Sequence, residues 1–271
     1  MANDNADGRM DDYKYYDQQL TETIIPLNIH SIDKYAYAKN RLSKVNFPSD
    51  LKAIGDYAFF FNDLSEVIFP AVISIGQFAF DNNSLEKIEI PSGIKSIEKY
   101  SFSNNNLREV IFNNKLIEIS EFSFYNNNLL NIDGNENVLA IGQFAFYNNK
   151  IKKISLPKNL RIIEKGIFLN NEIKELIIPE GIVAVEDFAF KNNKLESISI
   201  PDSTIFIGYR AFANNPLKNI RIGGEVNMYN DSFYQEFYKF YSNNKSKAGM
   251  YELTEIIKNN KKKPKWVFRD N

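Results

Sequence analysis

Residues 85–91 read Leu85-Glu-Lys-Ile-Glu-Ile-Pro91, and this phrase, Leu-x-x-Ile-x-Ile-Pro, returns along most of the chain. A second phrase, Ile-x-x-Ile-Gly-x-Phe-Ala-Phe-x-Asn-Asn, follows it, so one unit is 22 residues long and a single unit is 21. A fixed period of this length is typical of a solenoid, in which each unit forms one coil and buries its apolar residues against the coils on either side.

Two columns of residues show how strictly the period is kept: an asparagine near the end of each unit and an aromatic residue three positions before it. The asparagines are Asn40, Asn62, Asn83, Asn105, Asn127, Asn149, Asn171, Asn193 and Asn215; the aromatics are Tyr37, Phe59, Phe80, Phe102, Phe124, Phe146, Phe168, Phe190 and Phe212. Asparagine amides hydrogen-bond readily to nearby backbone groups, and asparagine tolerates left-handed geometry. We therefore predict that the asparagine column serves the turn before each strand and does not bind a ligand.

The first phrase predicts a short strand, because Ile88 and Ile90 alternate with the charged Lys87 and Glu89. The second phrase has apolar residues at spacing three and predicts a turn or a short helix on the opposite side of the coil. The expected fold class is an α/β-type repeat solenoid, a right-handed superhelix with one short parallel β-strand in each coil.

The repeat divides the chain into three parts. Residues 20–234 are predicted to form nine to ten coils, and residues 1–19 are polar and form an N-terminal cap or a polar leader. Residues 235–271 are predicted to be a C-terminal cap that opens with a short helix, since Phe233, Phe237, Phe240 and Tyr241 recur at helical spacing behind Ser232. Caps are needed because the end coils would otherwise expose apolar residues.

Composition argues against several classes of partner. The 271-residue chain has a formal net charge of -1 and no cysteine, so it lacks the strongly basic surface typical of nucleic-acid-binding proteins. No apolar run reaches the roughly 18 residues that a membrane-spanning helix needs. The first residues lack the apolar core of a signal peptide, which leaves a cytoplasmic location open beside export with a leader that is not in this sequence.

The sequence predicts no enzyme, no cofactor and no metal site. His30 is the only histidine, and no glycine-rich phosphate loop or cysteine cluster accompanies it. Acidic residues of the predicted strands alternate with lysines, which favour ionised carboxylates and not the raised pKa of a general acid.

The outward positions of the predicted strands are the candidate binding surface. The third and fifth positions of the first phrase face solvent, and the residues proposed for partner contact are Glu66, Ile68, Lys87, Glu89, Glu109, Ile111, Glu175 and Ile177. The alternation of lysine and glutamate in the third position also fits a simpler role, a ladder of ion pairs that fixes strand register and keeps the sheet soluble.

A second aromatic column, two residues before the first, has two interpretations. Its members are Tyr35, Tyr57, Phe78, Tyr100, Phe122, Phe144 and Phe188. These rings either stack on one another along the outside of the solenoid or form an exposed stripe that contacts a partner. In the seventh unit Gly166 takes the place of this aromatic residue, next to the larger Ile167.

The chain resembles the BspA-like (Treponema pallidum-type) leucine-rich repeat family. The resemblance covers about residues 20–234 and is carried by segments such as Leu64-Ser-Glu-Val-Ile-Phe-Pro70 with Ile75-Gly-Gln-Phe-Ala-Phe80. It implies an exported or surface-bound bacterial protein that adheres to host proteins or to other cells, without catalytic residues. The proline of the pattern is lost at Asn113 and at Gly134-Asn135, where the middle coils are expected to bend differently.

The expected function is that of a non-enzymatic protein-binding module, adhesin-like and displayed on the bacterial cell surface or secreted, with a protein or glycan ligand on a host or neighbouring cell. The alternative is a structural surface protein that associates with copies of itself through its caps or its aromatic residues.

Overall fold

The computed structural model describes residues 7–133, 136–258 and 261–269. It confirms the predicted repeat fold: a parallel β-solenoid of about 10 turns with coils of ~22 residues and little helix. Two sheets run along the stack of coils, because each coil contributes one segment to each of them.

The first sheet is built from the Leu-x-x-Ile-x-Ile phrase, as predicted. Its strands are Lys87–Glu89, Glu109–Ile111, Lys153–Ser155, Glu175–Ile177, Ser197–Ile200 and Asn219–Ile222, followed by the C-terminal strands Gly249–Lys258 and Lys261–Arg269. The strands of the coils pair in parallel and in register, for example Glu89 with Ile111. Along each strand buried and exposed side chains alternate.

The first sheet is less regular at its N-terminal end. Residues 66–68 keep the alternation of exposed and buried side chains without forming a regular strand. The rings of Phe47 and Phe69, at the last inward position of their coils, stack with centroids 5.9 Å apart and pack against the core.

The second sheet is built from the Ile-x-x-Ile phrase, where the sequence predicted a turn or a helix. Its two-residue strands are Arg9–Met10, Ser31–Ile32, Ala53–Ile54, Ser74–Ile75, Ser96–Ile97, Glu118–Ile119, Ala140–Ile141, Ile162–Ile163, Ala184–Val185, Phe206–Ile207 and Asn227–Met228. They pair in parallel within groups of four, three and four strands. Such short strands form only because neighbouring coils supply their hydrogen bonds. No local sequence pattern therefore predicts them.

The segments between the second sheet and the asparagines are turns and not helices. Two residues of each turn have positive φ, such as Tyr35 at 58° and Lys39 at 55°. The left-handed residues reorient the peptide groups, so that the Tyr35 N–H donates to the Asp56 carbonyl of the next coil at 3.0 Å and the Tyr37 N–H donates to the Ala58 carbonyl at 2.8 Å. The turns thus hydrogen-bond from coil to coil much as the sheets do.

The core is a set of parallel columns of buried side chains. The inner aromatic column stacks continuously from Tyr37 to Phe212, with neighbouring ring centroids between 5.3 and 5.9 Å apart. The asparagine column is buried beside it and hydrogen-bonds to backbone groups of two coils, which confirms its predicted structural role. Its own φ angles are not left-handed; the positive φ belongs to the preceding residue.

Departures from the repeat, in the length of a unit or at the proline position, change the structure only locally. The 21-residue unit lacks one residue after Pro70, where the Val72 N–H donates to the Pro70 carbonyl at 2.7 Å. Asn113, in a proline position, donates its amide to the Pro91 carbonyl of the preceding coil at 2.7 Å. The second sheet is interrupted between its strands at Ala140–Ile141 and Ile162–Ile163, and Gly134-Asn135, the other proline exception, lies outside the described residues.

Both ends of the solenoid are covered. At the N-terminus, Arg9–Met10 pairs with Ser31–Ile32, and Tyr15 stacks on Tyr37 at 5.1 Å, so residues 7–19 continue the pattern of a coil. At the C-terminus lies the α-helix α1, Gln235–Asn243, which buries Phe237 and Tyr241.

The C-terminal strands complete this end. Gly249–Lys258 pairs antiparallel with Asn219–Ile222 and with Lys261–Arg269. The helix begins behind Tyr234, its N-cap residue, which makes no side-chain cap hydrogen bond, and the Ser232 hydroxyl donates to the Ile207 carbonyl.

Candidate binding surface

The outward face of the first sheet exposes isoleucine side chains. Ile68 is 81% exposed, Ile177 72% and Ile111 39%, while Val67 and Val110, the residues before Ile68 and Ile111, are buried. Alternation along the strands explains this arrangement, since successive side chains point to opposite faces. Apolar groups are thereby held in water on a rigid backbone.

The charged residues of the same face form ion pairs between adjacent coils. Lys87 Nζ lies 2.9 Å from a Glu109 carboxylate oxygen. The Lys153–Glu175 pair measures 3.2 Å and the Lys44–Glu66 pair 3.3 Å, and all of these side chains are more than half exposed. Exposed cross-strand pairs of this kind contribute roughly 0.2–1 kcal/mol each. The pairs therefore support register and leave the charges accessible.

A shallow depression of about 560 Å³ crosses this face between two coils, and its lining includes Glu66, Ile68, Lys87 and Glu89. Ile111 is the register partner of Glu89 and adjoins the depression. Six of the eight residues singled out by sequence thus lie on three consecutive coils. Glu175 and Ile177 lie on a separate pair of strands, with Lys153–Ser155.

The outer aromatic column is stacked. Seven rings follow one another in the column Tyr13, Tyr35, Tyr57, Phe78, Tyr100, Phe122 and Phe144, with centroids 4.5 to 5.0 Å apart. Neighbouring rings cover the faces of all but the end members, which leaves the rings half-buried. The stack ends at Gly166, because the Phe144 ring fills the space that a Cβ would take there.

Titratable groups are dispersed over the surface. His30 is exposed, and in the described ranges no group of three His, Cys, Asp or Glu side chains is arranged to hold a metal ion. Asp81 is the most enclosed carboxylate; burial raises its pKa, while hydrogen bonds from Ser103, Asn104 and Asn82 oppose the rise. It lies in the turn region and joins two coils.

The sequence interpretation missed the outward face of the second sheet. The residue after the first apolar position of Ile-x-x-Ile is Lys52 or Lys95 in some coils but Ile73, Ile117, Leu139 and Ile205 in others, and these four are exposed. An apolar residue in a column that elsewhere holds lysine could have indicated an exposed apolar surface. It was not interpreted in this way, because no strand was expected in this segment.

No helix in the described part of the chain has both the length and the apolar character needed to cross a membrane.

Comparisons with known proteins agree with the repeat architecture. A leucine-rich repeat protein from Bacteroides ovatus has a crystal structure with a TM-score of 0.60 and 19% identity, over 82% of this chain and 72% of that one. The pneumococcal vaccine antigen PcpA gives a TM-score of 0.50 and 19% identity, over 76% of this chain and 59% of PcpA. At these identities the likeness concerns the fold alone. None of the curated proteins matches the sequence.

A comparison of the sequence with protein-family models identifies the family. The family model of the BspA type leucine rich repeat region matches residues 9–121, 73–193 and 161–258, with six copies in all. Together these matches cover residues 9–258 and end with the strand Gly249–Lys258. The chain therefore belongs to the BspA-type leucine-rich repeat family.

Proposed function

We propose that this chain is a non-enzymatic protein-binding module and that its first sheet carries the binding surface. The observation behind this proposal is the exposure of Ile68 (81%) and Ile177 (72%) on a face whose backbone is fixed by buried neighbours. Burying such a side chain against a partner contributes roughly 1.5–3 kcal/mol. Because the backbone is already ordered, little conformational entropy is lost on binding.

The depression around Ile68 has the composition expected of a contact centre. An apolar side chain lies between Glu66, Lys87 and Glu89, which supply charges of both signs at its rim. Interfaces commonly combine an apolar centre with a polar rim that sets orientation and specificity. A protein or glycan ligand with apolar contact area and complementary charges would fit this surface.

We further infer an adhesin-like protein outside a bacterial cell, contacting a protein or glycan of a host or neighbouring cell. Support comes from membership of the BspA-type family and from the similarity of the fold to PcpA, which is described as a vaccine antigen.

The test is a binding screen of the purified chain against extracellular-matrix proteins and glycans by surface plasmon resonance. We expect Ile68→Asp to weaken a specific interaction at least about tenfold, because a carboxylate would be desolvated in the contact. Ile24→Asp is the matched control: Ile24 occupies the same column and is 93% exposed, but it lies outside the depression.

Two results would count against the proposal. A specific ligand whose affinity is unchanged by both Ile68→Asp and Ile177→Asp would exclude the first sheet as its site. Absence of any ligand, together with a molecular mass that rises with concentration in sedimentation experiments, would favour the structural, self-associating alternative.

A further inference from the structure

The outward face of the second sheet carries apolar residues over its C-terminal coils. Ile205 is 65% exposed, Tyr229 53% and Leu139 52%. We call this surface the second-sheet patch; it consists of Leu139, Ile162, Val183, Ile205, Phe206 and Tyr229. Tyr229 packs edge-on against Phe206 at 6.1 Å, so the patch ends in an aromatic cluster.

Most of the patch rests on one continuous group of strands in the second sheet. Ile162–Ile163, Ala184–Val185, Phe206–Ile207 and Asn227–Met228 form one four-stranded parallel group. Beside its first strand, where the sheet is interrupted, a small cleft of about 170 Å³ is lined by the apolar Leu139 and Ile162 and by the charged Arg161 and Glu164. The patch therefore ends in a recess of mixed character.

Acidic side chains border the patch on one side. Glu164 and Glu186 follow their strands by one residue, so they point to the same face as Ile162 and Ala184. Burial and the nearby charges of Glu164 and Asp187 raise the pKa of Glu186. Within the described chain, no ion pair joins these acids to a lysine or arginine. The border thus holds negative charge without an ion pair, and Arg161, which lines the same cleft as Glu164, donates to the Gly181 carbonyl.

We propose that the second-sheet patch docks an extended segment of a partner protein in which lysine or arginine side chains alternate with apolar ones. The segment would lie along the border of the patch, so that the apolar side chains on one of its sides cover Ile162 and Ile205 and the alternate cations on its other side meet Glu164 and Glu186. The patch crosses four coil spacings of about 4.8 Å, or about 19 Å, which is the length of about six extended residues.

The size of the patch argues against a second copy of this chain as the occupant. Three residues along each short strand give a width of about 10 Å, and hence an area of roughly 200 Å². Stable interfaces bury about 800 Å² on each partner. A single extended segment needs no larger surface, and this proposal is independent of binding at the first sheet.

The experiment measures fluorescence anisotropy of a labelled peptide, Lys-Val-Lys-Val-Lys-Val-Lys, titrated with the full chain. We expect this peptide to bind at least about tenfold more tightly than Glu-Val-Glu-Val-Glu-Val-Glu, because only the basic peptide complements the acids. Ile162→Ser with Ile205→Ser should weaken binding at least about tenfold. Glu164→Gln with Glu186→Gln should weaken it and reduce its dependence on salt.

Ile24→Ser with Ile73→Ser is the matched control, since it removes two exposed isoleucines that lie outside both the patch and the depression at Ile68; it should leave peptide affinity unchanged. Equal affinity for the two peptides would overturn the proposal, as would unchanged affinity in both patch variants. A concentration-dependent mass that disappears with Ile162→Ser and Ile205→Ser would also overturn it and identify a second copy as the occupant.

Discussion

Each buried asparagine joins two coils through side-chain hydrogen bonds. The Asn105 amide donates to the carbonyls of Phe80 and Ser103, both at 2.9 Å, and its Oδ1 accepts from the Leu85 N–H at 3.0 Å. These backbone groups lie at the change from turn to strand, where regular structure cannot satisfy them. The asparagine column therefore satisfies buried polar groups that would otherwise cost free energy.

Replacing one of these asparagines should be strongly destabilising. Asn105→Ala leaves buried carbonyls and an N–H without partners, and we expect the free energy of unfolding to fall by about 2–4 kcal/mol. Urea unfolding followed by circular dichroism measures the change. Asn106→Ala is the control, because Asn106 is exposed and its replacement should change stability by less than about 0.5 kcal/mol. A similar loss in both variants would contradict this role.

Two serines in the small-residue column should be replaceable with a gain in stability. The hydroxyls of Ser101 and Ser123 are buried without a hydrogen-bond partner among the described residues, and other coils carry alanine there. Ser101→Ala and Ser123→Ala remove a desolvated polar group, so each should raise the free energy of unfolding by about 1 kcal/mol.

Ser103→Ala provides the opposite case in the same experiment. The Ser103 hydroxyl donates to the Asp81 carboxylate, so its loss should lower stability. If all three serine variants shift the unfolding midpoint in the same direction, hydrogen bonding does not decide the effect.

The two strand-forming phrases differ in what the sequence reveals. In the first, Ile88 and Ile90 alternate with charged residues, and this pattern predicts a half-buried strand on its own. In the second, the spacing of three between Ile94 and Ile97 does not alternate, and the strand Ser96–Ile97 forms through hydrogen bonds from other coils. Periodicity therefore predicted the first sheet and could not predict the second.

The backbone conformation of the turns also could not be predicted from the sequence. Aromatic residues rarely adopt positive φ, because the left-handed region crowds the Cβ. Here Tyr57 has a φ of 58° and its ring stacks on Tyr35 and Phe78 at 4.5 and 4.6 Å. The favourable contact of each ring depends on the same conformation in the coils above and below, which no single unit specifies.

Gly166 marks the place where the outer stack ends. Its φ is +59°, as for the aromatic residues of that column, and an added Cβ would lie 2.2 Å from Phe144 Cε1. We expect Gly166→Ala to lower the free energy of unfolding by more than the roughly 1–2 kcal/mol of left-handed strain.

A double-mutant cycle separates the two causes. In the Phe144→Ala background the overlap is removed, so Gly166→Ala should cost only the backbone strain. Equal costs in both backgrounds would show that the ring does not limit this position.

For the whole molecule, the outward columns of the first sheet were predictable because strand alternation fixes which side chains face solvent. Ile68, Ile111 and Ile177 are exposed as the pattern indicates. The depression next to Ile68 could not be predicted, since it depends on how two coils are spaced. Residues 1–19 were expected to be a cap or a polar leader because they are polar, whereas the described residues 7–19 continue the pattern of a coil.

Stability of the whole solenoid should depend on its C-terminal cap. Removal of residues 235–271 would uncover the last coil, because Phe237 packs on Phe233 and the Gly249–Lys258 strand covers the edge of Asn219–Ile222. We expect a lower thermal midpoint and increased light scattering, since end coils with exposed apolar faces associate.

Trp266→Ala is a milder version of the same change. Trp266 is buried and lies 5.0 Å from Phe237, so the midpoint should fall between those of the full chain and the truncated form. A truncated chain that unfolds at the same temperature as the full chain would show that this segment does not act as a cap.

The short coil shows where this solenoid accepts a change in length. One residue is missing after Pro70, yet Ile54 still pairs with Ile75 and the asparagine and aromatic columns continue unbroken on both sides. The bend after the proline thus takes up the change in length, so that an insertion or deletion there leaves the stacked columns in register. Foreign peptides inserted into this bend in successive coils would be displayed on a regular scaffold, and the distance between them would be set by the rise of one coil.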